Sequence, residues 1–306
     1  MMRYIKIFIF SFALLCVGKA EAQVLSIMDM KVDSKSLSMG YVDAVPGNAA
    51  FSSFSNVAMG AYSDESVAFA GTYGVFQPMK MGVQIAGISG FYKISPDVSL
   101  SVGAIGSIYR KMTLKNEVGL SSGTYTPNEY QVKLGCSYKV DDYLAVGLSA
   151  GYAQSLILPV KSYNAASCDC YVIGSLKGIK ASLGVKNIGY AWGKGYEASF
   201  GKYMSASLGL LYSTEIATVH CVDFSAQYDY YLSGQMSVSA GVQYIYDESY
   251  SFRIGGRYGM DGIPSFLSLG PGFERGIWGL SAAYVIPIKK GMPYGNTFNV
   301  TFAVRL

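Results

Sequence analysis

The residues able to do nucleophilic, acid–base or metal chemistry are few, and their spacing is wrong for it. The chain holds a single histidine, His220. A nucleophile needs a base within hydrogen-bond reach, and one imidazole on an apolar strand face builds neither a Ser-His-Asp nor a Cys-His set. Cys168-x-Cys170 has one intervening residue, where zinc sites use roughly two to four, and a bridge between the two would be strained. With Cys136 and Cys221, whose pairing cannot be read from spacing, they are expected as free, small apolar side chains. Asp141-Asp142 falls in a turn signal, where adjacent carboxylates solvate the turn. Gly270-Pro271-Gly272 lacks the strand–turn–helix setting of a phosphate loop. No enzyme, no cofactor and no metal centre is expected.

The remaining polar chemistry is periodic. Asp223, Gln227, Asp229, Gln243, Arg253 and Arg257 occupy alternate positions between apolar neighbours. Such residues face one side of a strand, and when that side is enclosed they must pair, because unpaired buried charge is costly. Arg253 and Asp223 are expected to staple nearby strands; the functional alternative is that these residues line a pathway. Asn56, Asp223, Gln243, Arg253 and Arg257 are the expected lumen or plug contacts.

The elements that position them follow from the same period of two. Phe298, Val300, Phe302, Val304 and Leu306 share one face of the last segment, opposite Asn299, Thr301, Ala303 and Arg305. Tyr130, Val132, Leu134, Cys136 and Tyr138 alternate with Gln131, Lys133, Gly135 and Ser137. His220, Val222, Phe224, Ala226 and Tyr228 alternate with Cys221, Asp223, Ser225 and Gln227, which places His220 on the apolar face. Segments of about ten residues suit tilted strands crossing a bilayer, and aromatics recur near their ends as an interfacial girdle does.

Composition agrees. Charged residues make up 14% of the 306, with 26 Tyr and 36 Gly, against about 25% charged in soluble domains. Strands are expected near 66–76, 82–94, 98–110, 128–140, 143–153, 169–176, 179–188, 202–213, 217–231, 235–246, 249–258, 265–274, 276–286 and 297–306. The even count fits a single-chain transmembrane antiparallel β-barrel of about fourteen strands; twelve or sixteen would follow from errors at neighbouring segments. A secreted β-sandwich is the alternative. Longer connections are expected at 111–127, 154–168, 188–201 and 287–296, on the extracellular side.

Residues 1–22 read as a secretory signal: Arg3 and Lys6 flank the apolar run Ile7–Val17, and Ala20-Glu21-Ala22 precedes Gln23. Loss of Arg3, Lys6, Lys19 and Glu21 would take the net charge from +4 to +2, which gives no support for a nucleic-acid partner. Residues 23–65 have no sustained period. Their centre, Ser38–Ala58, is rich in Gly, Ala, Ser and Asn. Irregular backbone at membrane depth is tolerated only inside protein or against a watery cavity. A hatch over about 28–62 is therefore expected inside the 66–306 barrel, with a short helix near Asn56–Gly60; a periplasmic tail is the alternative.

Several stretches resemble one family. Asp33-Ser34-Lys35-Ser36-Leu37-Ser38-Met39-Gly40 is similar to an opening D-x-R-x-x-x-M-G, and Phe54-Ser55-Asn56-Val57-Ala58 to aromatic-x-N-P-A with Val57 in place of Pro. Gly123-Thr124-Tyr125-Thr126-Pro127-Asn128-Glu129-Tyr130 resembles G-T-Y-x-P-N-E-F, and Leu183 to Gly189 resembles G-V-x-x-x-N-I-G. These are features of the PorV/PorQ outer-membrane proteins of the Bacteroidetes, related in architecture to FadL-type channels. The resemblance implies an outer-membrane barrel that binds secreted cargo carrying the type IX C-terminal signal domain. Its implied partners are the type IX translocon, the attachment-complex proteins, the cargo itself and outer-membrane lipid. Tyr125, Asn128 and Glu129 become a candidate extracellular docking loop. A FadL-like channel for hydrophobic small molecules, or a structural subunit of another outer-membrane complex, are the other readings.

Overall fold

Strands that are apolar on one face and small or polar on the other satisfy every backbone group in a bilayer only by closing on themselves. Fourteen strands of this chain do so. The computed structural model describes residues 25–43, 49–76, 82–115, 119–158, 161–193, 203–260, 262–288 and 296–306. The expected signal, 1–22, lies outside the described residues, as does most of the 287–296 connection.

The strands are β1 (Val67–Phe76), β2 (Val83–Lys93), β3 (Val98–Ile108), β4 (Met112–Lys115), β5 (Ser121–Tyr125), β6 (Asn128–Lys139), β7 (Leu144–Leu158) and β8 (Lys161–Leu176). They continue with β9 (Ile179–Gly193), β10 (Ser205–Ala217), β11 (His220–Tyr231), β12 (Met236–Tyr246), β13 (Tyr250–Gly259), β14 (Phe266–Arg275), β15 (Trp278–Pro287) and β16 (Thr297–Arg305). Each barrel strand pairs antiparallel with its neighbour in sequence, β3 pairs with β6 across the β4–β5 hairpin, and β16 closes on β1 through Thr72↔Thr301.

One rim carries short turns. Lys177 and Gly178 both take positive φ, 47° and 80°, as do Asp247 and Glu248, 51° and 53°; paired left-handed residues match the twist of tight hairpins. The other rim carries the longer connections. Three expectations change there. The 111–127 connection contains the β4–β5 hairpin, and 154–168 is mostly strand, since β7 and β8 run on together to Leu158↔Lys161. Likewise β9 extends to Gly193, so the 188–201 connection begins later than expected.

The outward row is large and apolar: Phe69, Ile88, Leu134, Leu183 and Leu280 are at least half exposed. Exposed apolar surface on this scale belongs against lipid. His220 is on this face, its Nδ1 2.6 Å from the Tyr244 hydroxyl. The described cysteines are free, with Cys136, Cys168 and Cys170 exposed on the outer wall.

The described residues between 25 and 65 form no barrel strand. They contain a 3-10 turn (Ser26–Asp29), helix α1 (Ser34–Ser38) and two further 3-10 turns (Ala49–Phe54 and Val57–Tyr62). Asp33 caps α1 by accepting from Ser36 N at 3.2 Å, which satisfies one of the orphan donors of a helix start. Helix α1 packs on β14 and β15, while the two later 3-10 turns pack on β2, β3, β6, β7 and β8. Ser34 Oγ donates to Asn299 Oδ1 at 2.9 Å and to Thr301 Oγ1 at 2.6 Å on the inner wall. The short helix expected near Asn56–Gly60 is a 3-10 turn.

Candidate functional site

Two environments lie side by side in the lumen. Toward the long-loop rim, Phe76, Val83, Ile85, Ile105, Tyr163 and Tyr203 gather with Ala153, Ala165 and Ala191 into an apolar cluster. Leu25, Ile27 and Met28 of the N-terminal segment pack into the same cluster. Inward positions of a water-filled barrel are ordinarily polar, so this apolar lining is a departure from the porin pattern. It is produced by the strands' own alternation: Phe76, Val83, Ile85, Ile105 and Tyr163 occupy inward positions next to Ser89, Ser107 and Ser167.

From the apolar cluster the segment runs into a group of buried charges. Lys31 pairs with Asp43. Lys186 on β9 lies 3.0 Å from Asp43 and 3.3 Å from Asp229 on β11. Gln227 Nε2 donates to Asp229 at 2.8 Å, and its Oε1 accepts from Asp43 N at 2.6 Å. Burial works to raise the carboxyl pKa of Asp43, but the Lys186 and Lys31 ammonium groups outweigh it and hold the carboxyl well below its ordinary value. Burial is the dominant influence on Lys31, whose pKa falls despite Asp43.

A second charged knot holds a bulge. Asn187 has φ of 54°, and the β8–β9 register slips between Cys168 and Cys170. Asp169 accepts from Asn187 N at 2.7 Å and Ser149 Oγ at 2.8 Å, and pairs with Lys133 at 2.5 Å. The bulge switches the inward face of β9 from even positions, such as Lys186, to odd ones, such as Ala191. Asn187 Nδ2 then reaches the backbone carbonyl of Tyr203 at 3.1 Å. Sequence reading missed this knot. Its only signal was the failure of one alternation to run through β9.

The expected lumen residues are placed as follows. Asp223 accepts from Gln243 Nε2 at 3.1 Å, and Gln243 Oε1 accepts from Arg253 Nε at 2.5 Å. The expected Arg253–Asp223 staple therefore works through Gln243, with Arg253 also donating to Ser251 Oγ at 2.8 Å. Arg257 donates to the Tyr231 hydroxyl at 2.7 Å and Ser237 Oγ at 3.1 Å, and lies over the Tyr41 ring at 5.3 Å. Asn56 is fully buried and caps its own turn, accepting from Ala58 N at 3.2 Å.

Of the candidate docking residues, Glu129 is placed inward. Tyr125, on β5, donates its hydroxyl to the Leu156 carbonyl, and Asn128 opens β6. Glu129 is 1% exposed and faces inward. It accepts from Ser26 N at 3.1 Å, Ser26 Oγ at 2.6 Å and the Tyr109 hydroxyl at 3.0 Å. The physical reason is parity: Tyr130, Val132 and Leu134 face outward, so the residues between and before them face in.

These features define a class, the closed fourteen-stranded antiparallel barrel of outer-membrane type, with FadL-like architecture. The structure is similar to that of the toluene transporter TbuX of Ralstonia pickettii, with a TM-score of 0.62 and 11% identity, covering 91% of this chain and 98% of that one. It is similar to the toluene transporter TodX of Pseudomonas putida, with a TM-score of 0.61 and 10% identity over 88% and 99% of the two chains. A FadL homologue of Pseudomonas aeruginosa matches at a TM-score of 0.53 and 10% identity over 90% and 97%. No family model and no curated protein matches the sequence. At these identities the likeness is one of fold.

Proposed function

We propose that the protein is a non-enzymatic outer-membrane channel for hydrophobic small molecules. The observation that carries the reading is the apolar inward cluster of Phe76, Ile85, Ile105, Tyr163 and Tyr203. An apolar solute gains roughly 25 cal/mol for each Å² it removes from water, and an apolar lumen wall returns that gain where a polar one does not. The buried charges around Lys186 and the N-terminal segment work against a continuous aqueous pore, since both place protein groups where water would run. Residues 25–65 act in this reading as a hatch. The three fold neighbours named above are, by their names, transporters of toluene or a FadL homologue, which supports the same class of cargo.

The secretion-shuttle reading rests on the motif resemblance alone. Glu129 faces the lumen and so leaves the proposed docking surface, which weakens that reading. Type IX translocon, attachment and cargo proteins would be partners only under it.

Reconstitution tests the choice. Purified barrel in a planar bilayer should show little ion conductance, while vesicles containing it should take up a monoaromatic hydrocarbon faster than protein-free vesicles. Large, steady ion conductance without faster hydrocarbon uptake would make it a water-filled pore. Recovery of the barrel with secreted cargo proteins, and no effect on uptake, would favour the shuttle.

A further inference from the structure

We propose that the lumen contains a binding site for an apolar molecule bearing a hydrogen-bond donor, built around Glu129, and that Leu25–Ser26–Ile27 of the chain itself now occupies it. The proposal rests on the channel reading and adds to it a site that holds donor-bearing solutes more tightly than the plain hydrocarbons that follow the same apolar wall.

Glu129 is a buried carboxylate whose contacts are all donors: Ser26 N, Ser26 Oγ and the Tyr109 hydroxyl. Among the described residues no ion pair forms to it; Lys133, on the same inward row of β6, pairs instead with Asp169. An ionised carboxylate is acceptor-only, so whatever fills this place must donate. Two of its three donors come from one residue of the N-terminal segment.

Further polar groups converge without partners. Gln131 follows Glu129 on the inward row, 2% exposed, and its Nε2 makes no hydrogen bond. Ser155, directly across from Glu129 in register, is fully buried and its hydroxyl is also unpartnered. Buried polar atoms without partners are rare and call for an explanation. A ligand hydroxyl would supply one, donating to Glu129 while accepting from Gln131 or Ser155.

The surroundings complete an amphiphile site. Leu25 and Ile27 lie on either side of Ser26, within the cluster of Phe76, Ile105, Tyr163 and Tyr203, against which Tyr109 packs. Leu25–Ser26–Ile27 thus presents apolar flanks with a double donor between them, as the ligand would. Leu25 holds φ of 68°, a left-handed conformation that L residues other than Gly, Asn and Asp adopt at a cost. The segment is anchored to the wall further along, where Asp43 pairs with Lys186 of β9 at 3.0 Å, so its first residues can leave while the rest stays docked.

A carboxylate ligand fits badly. It would bring a second negative charge to a buried one, and like charges sharing a buried site are strongly disfavoured. An alcohol or an alkylammonium satisfies Glu129, and an alkane leaves it unpaired.

The test uses the full mature chain in lipid nanodiscs, with empty nanodiscs as the blank. Octan-1-ol, octylammonium and octanoate are titrated near neutral pH, so that chain length is constant and only the head group varies. Alcohol and ammonium should bind at least about tenfold more tightly than octanoate, because only they donate to Glu129. Glu129→Gln should shrink that gap to within about threefold, since the repelling charge is gone. Ser26→Ala, which removes a competing donor, should tighten octan-1-ol, and it decides the matter if Glu129→Gln does not form a barrel. Octanoate binding as tightly as the alcohol, an unchanged gap in Glu129→Gln, or no tightening in Ser26→Ala would overturn the proposal. Equal binding of all three leaves the channel reading standing; binding of none would overturn both.

Discussion

The ammonium of Lys186 on β9 lies 3.0 Å from a carboxylate oxygen of Asp43, a residue 143 positions earlier that belongs to no strand. Both are buried, and the same ammonium reaches Asp229 at 3.3 Å. This contact ties the segment before the barrel to the barrel wall. Removing one member of a buried pair strands the other and costs about 3–5 kcal/mol. Lys186→Met should therefore weaken protection of residues 31–43 in hydrogen exchange, with less effect on strand amides. Adding Asp43→Asn to Lys186→Met should cost less than the sum of the two single changes. Additive costs would mean that the two residues do not act as a pair.

Two glycines on the inner wall act as seats for that segment. A Cβ on Gly255 would fall 2.3 Å from Gly40 N, and one on Gly147 would fall 2.5 Å from Ala58 N. Backbone atoms cannot yield as a flexible side chain can, and overpacking costs about 1–3 kcal/mol or more. Gly255→Ala and Gly147→Ala should each make residues 33–62 more sensitive to protease while the barrel keeps its heat-modifiable migration. Gly71→Ala, whose nearest neighbour would be 3.9 Å away, should change neither. Equal protease resistance in all three variants would show that the segment does not rest on these glycines.

Acid should loosen the same attachment. The Asp43 carboxyl is held below its ordinary value of 3.8 because the Lys186 and Lys31 charges outweigh the effect of burial. A depressed carboxyl pKa gives stability that is fully present above the unfolded-state value and is lost as pH falls toward the folded-state value. Protection of residues 31–43 should thus be flat from neutral pH down to about pH 5 and decline below about pH 4. A decline centred near neutral pH would point to a different group.

The barrel was legible because lipid and lumen impose opposite demands on alternate residues, and Phe298 to Leu306 shows that contrast without interruption. Past the apolar band, where outward residues turn polar and inward ones are small or apolar, the contrast weakens. Gln154, Ser155, Ser162 and Asn164 extend β7 and β8 past the apolar band, and sequence reading therefore took them for loop. Glu129 was misplaced although parity could have found it, since it precedes Tyr130, Val132 and Leu134 by an odd number of positions. Family resemblance drew it into the loop with Tyr125 and Asn128 instead. The partners of the N-terminal segment had no local signal, because Asp43 meets Lys186, and Ser26 meets Glu129, only after the barrel has closed.

Under the channel reading, apolar solutes pass along an apolar inner wall, and Ile105 sits where that passage can be blocked. It is 2% exposed within the apolar cluster, and a carboxylate there would meet no ready partner. Uptake of a monoaromatic hydrocarbon is measured in cells carrying the wild-type barrel, Ile105→Asp, or no barrel, after heat-modifiable migration shows that the variant has folded. Uptake well above the barrel-free level in wild type, falling back toward that level in Ile105→Asp, is the predicted result. Wild-type uptake no faster than in barrel-free cells, or undiminished uptake by a folded Ile105→Asp barrel, would show that the barrel does not carry apolar solutes along this wall.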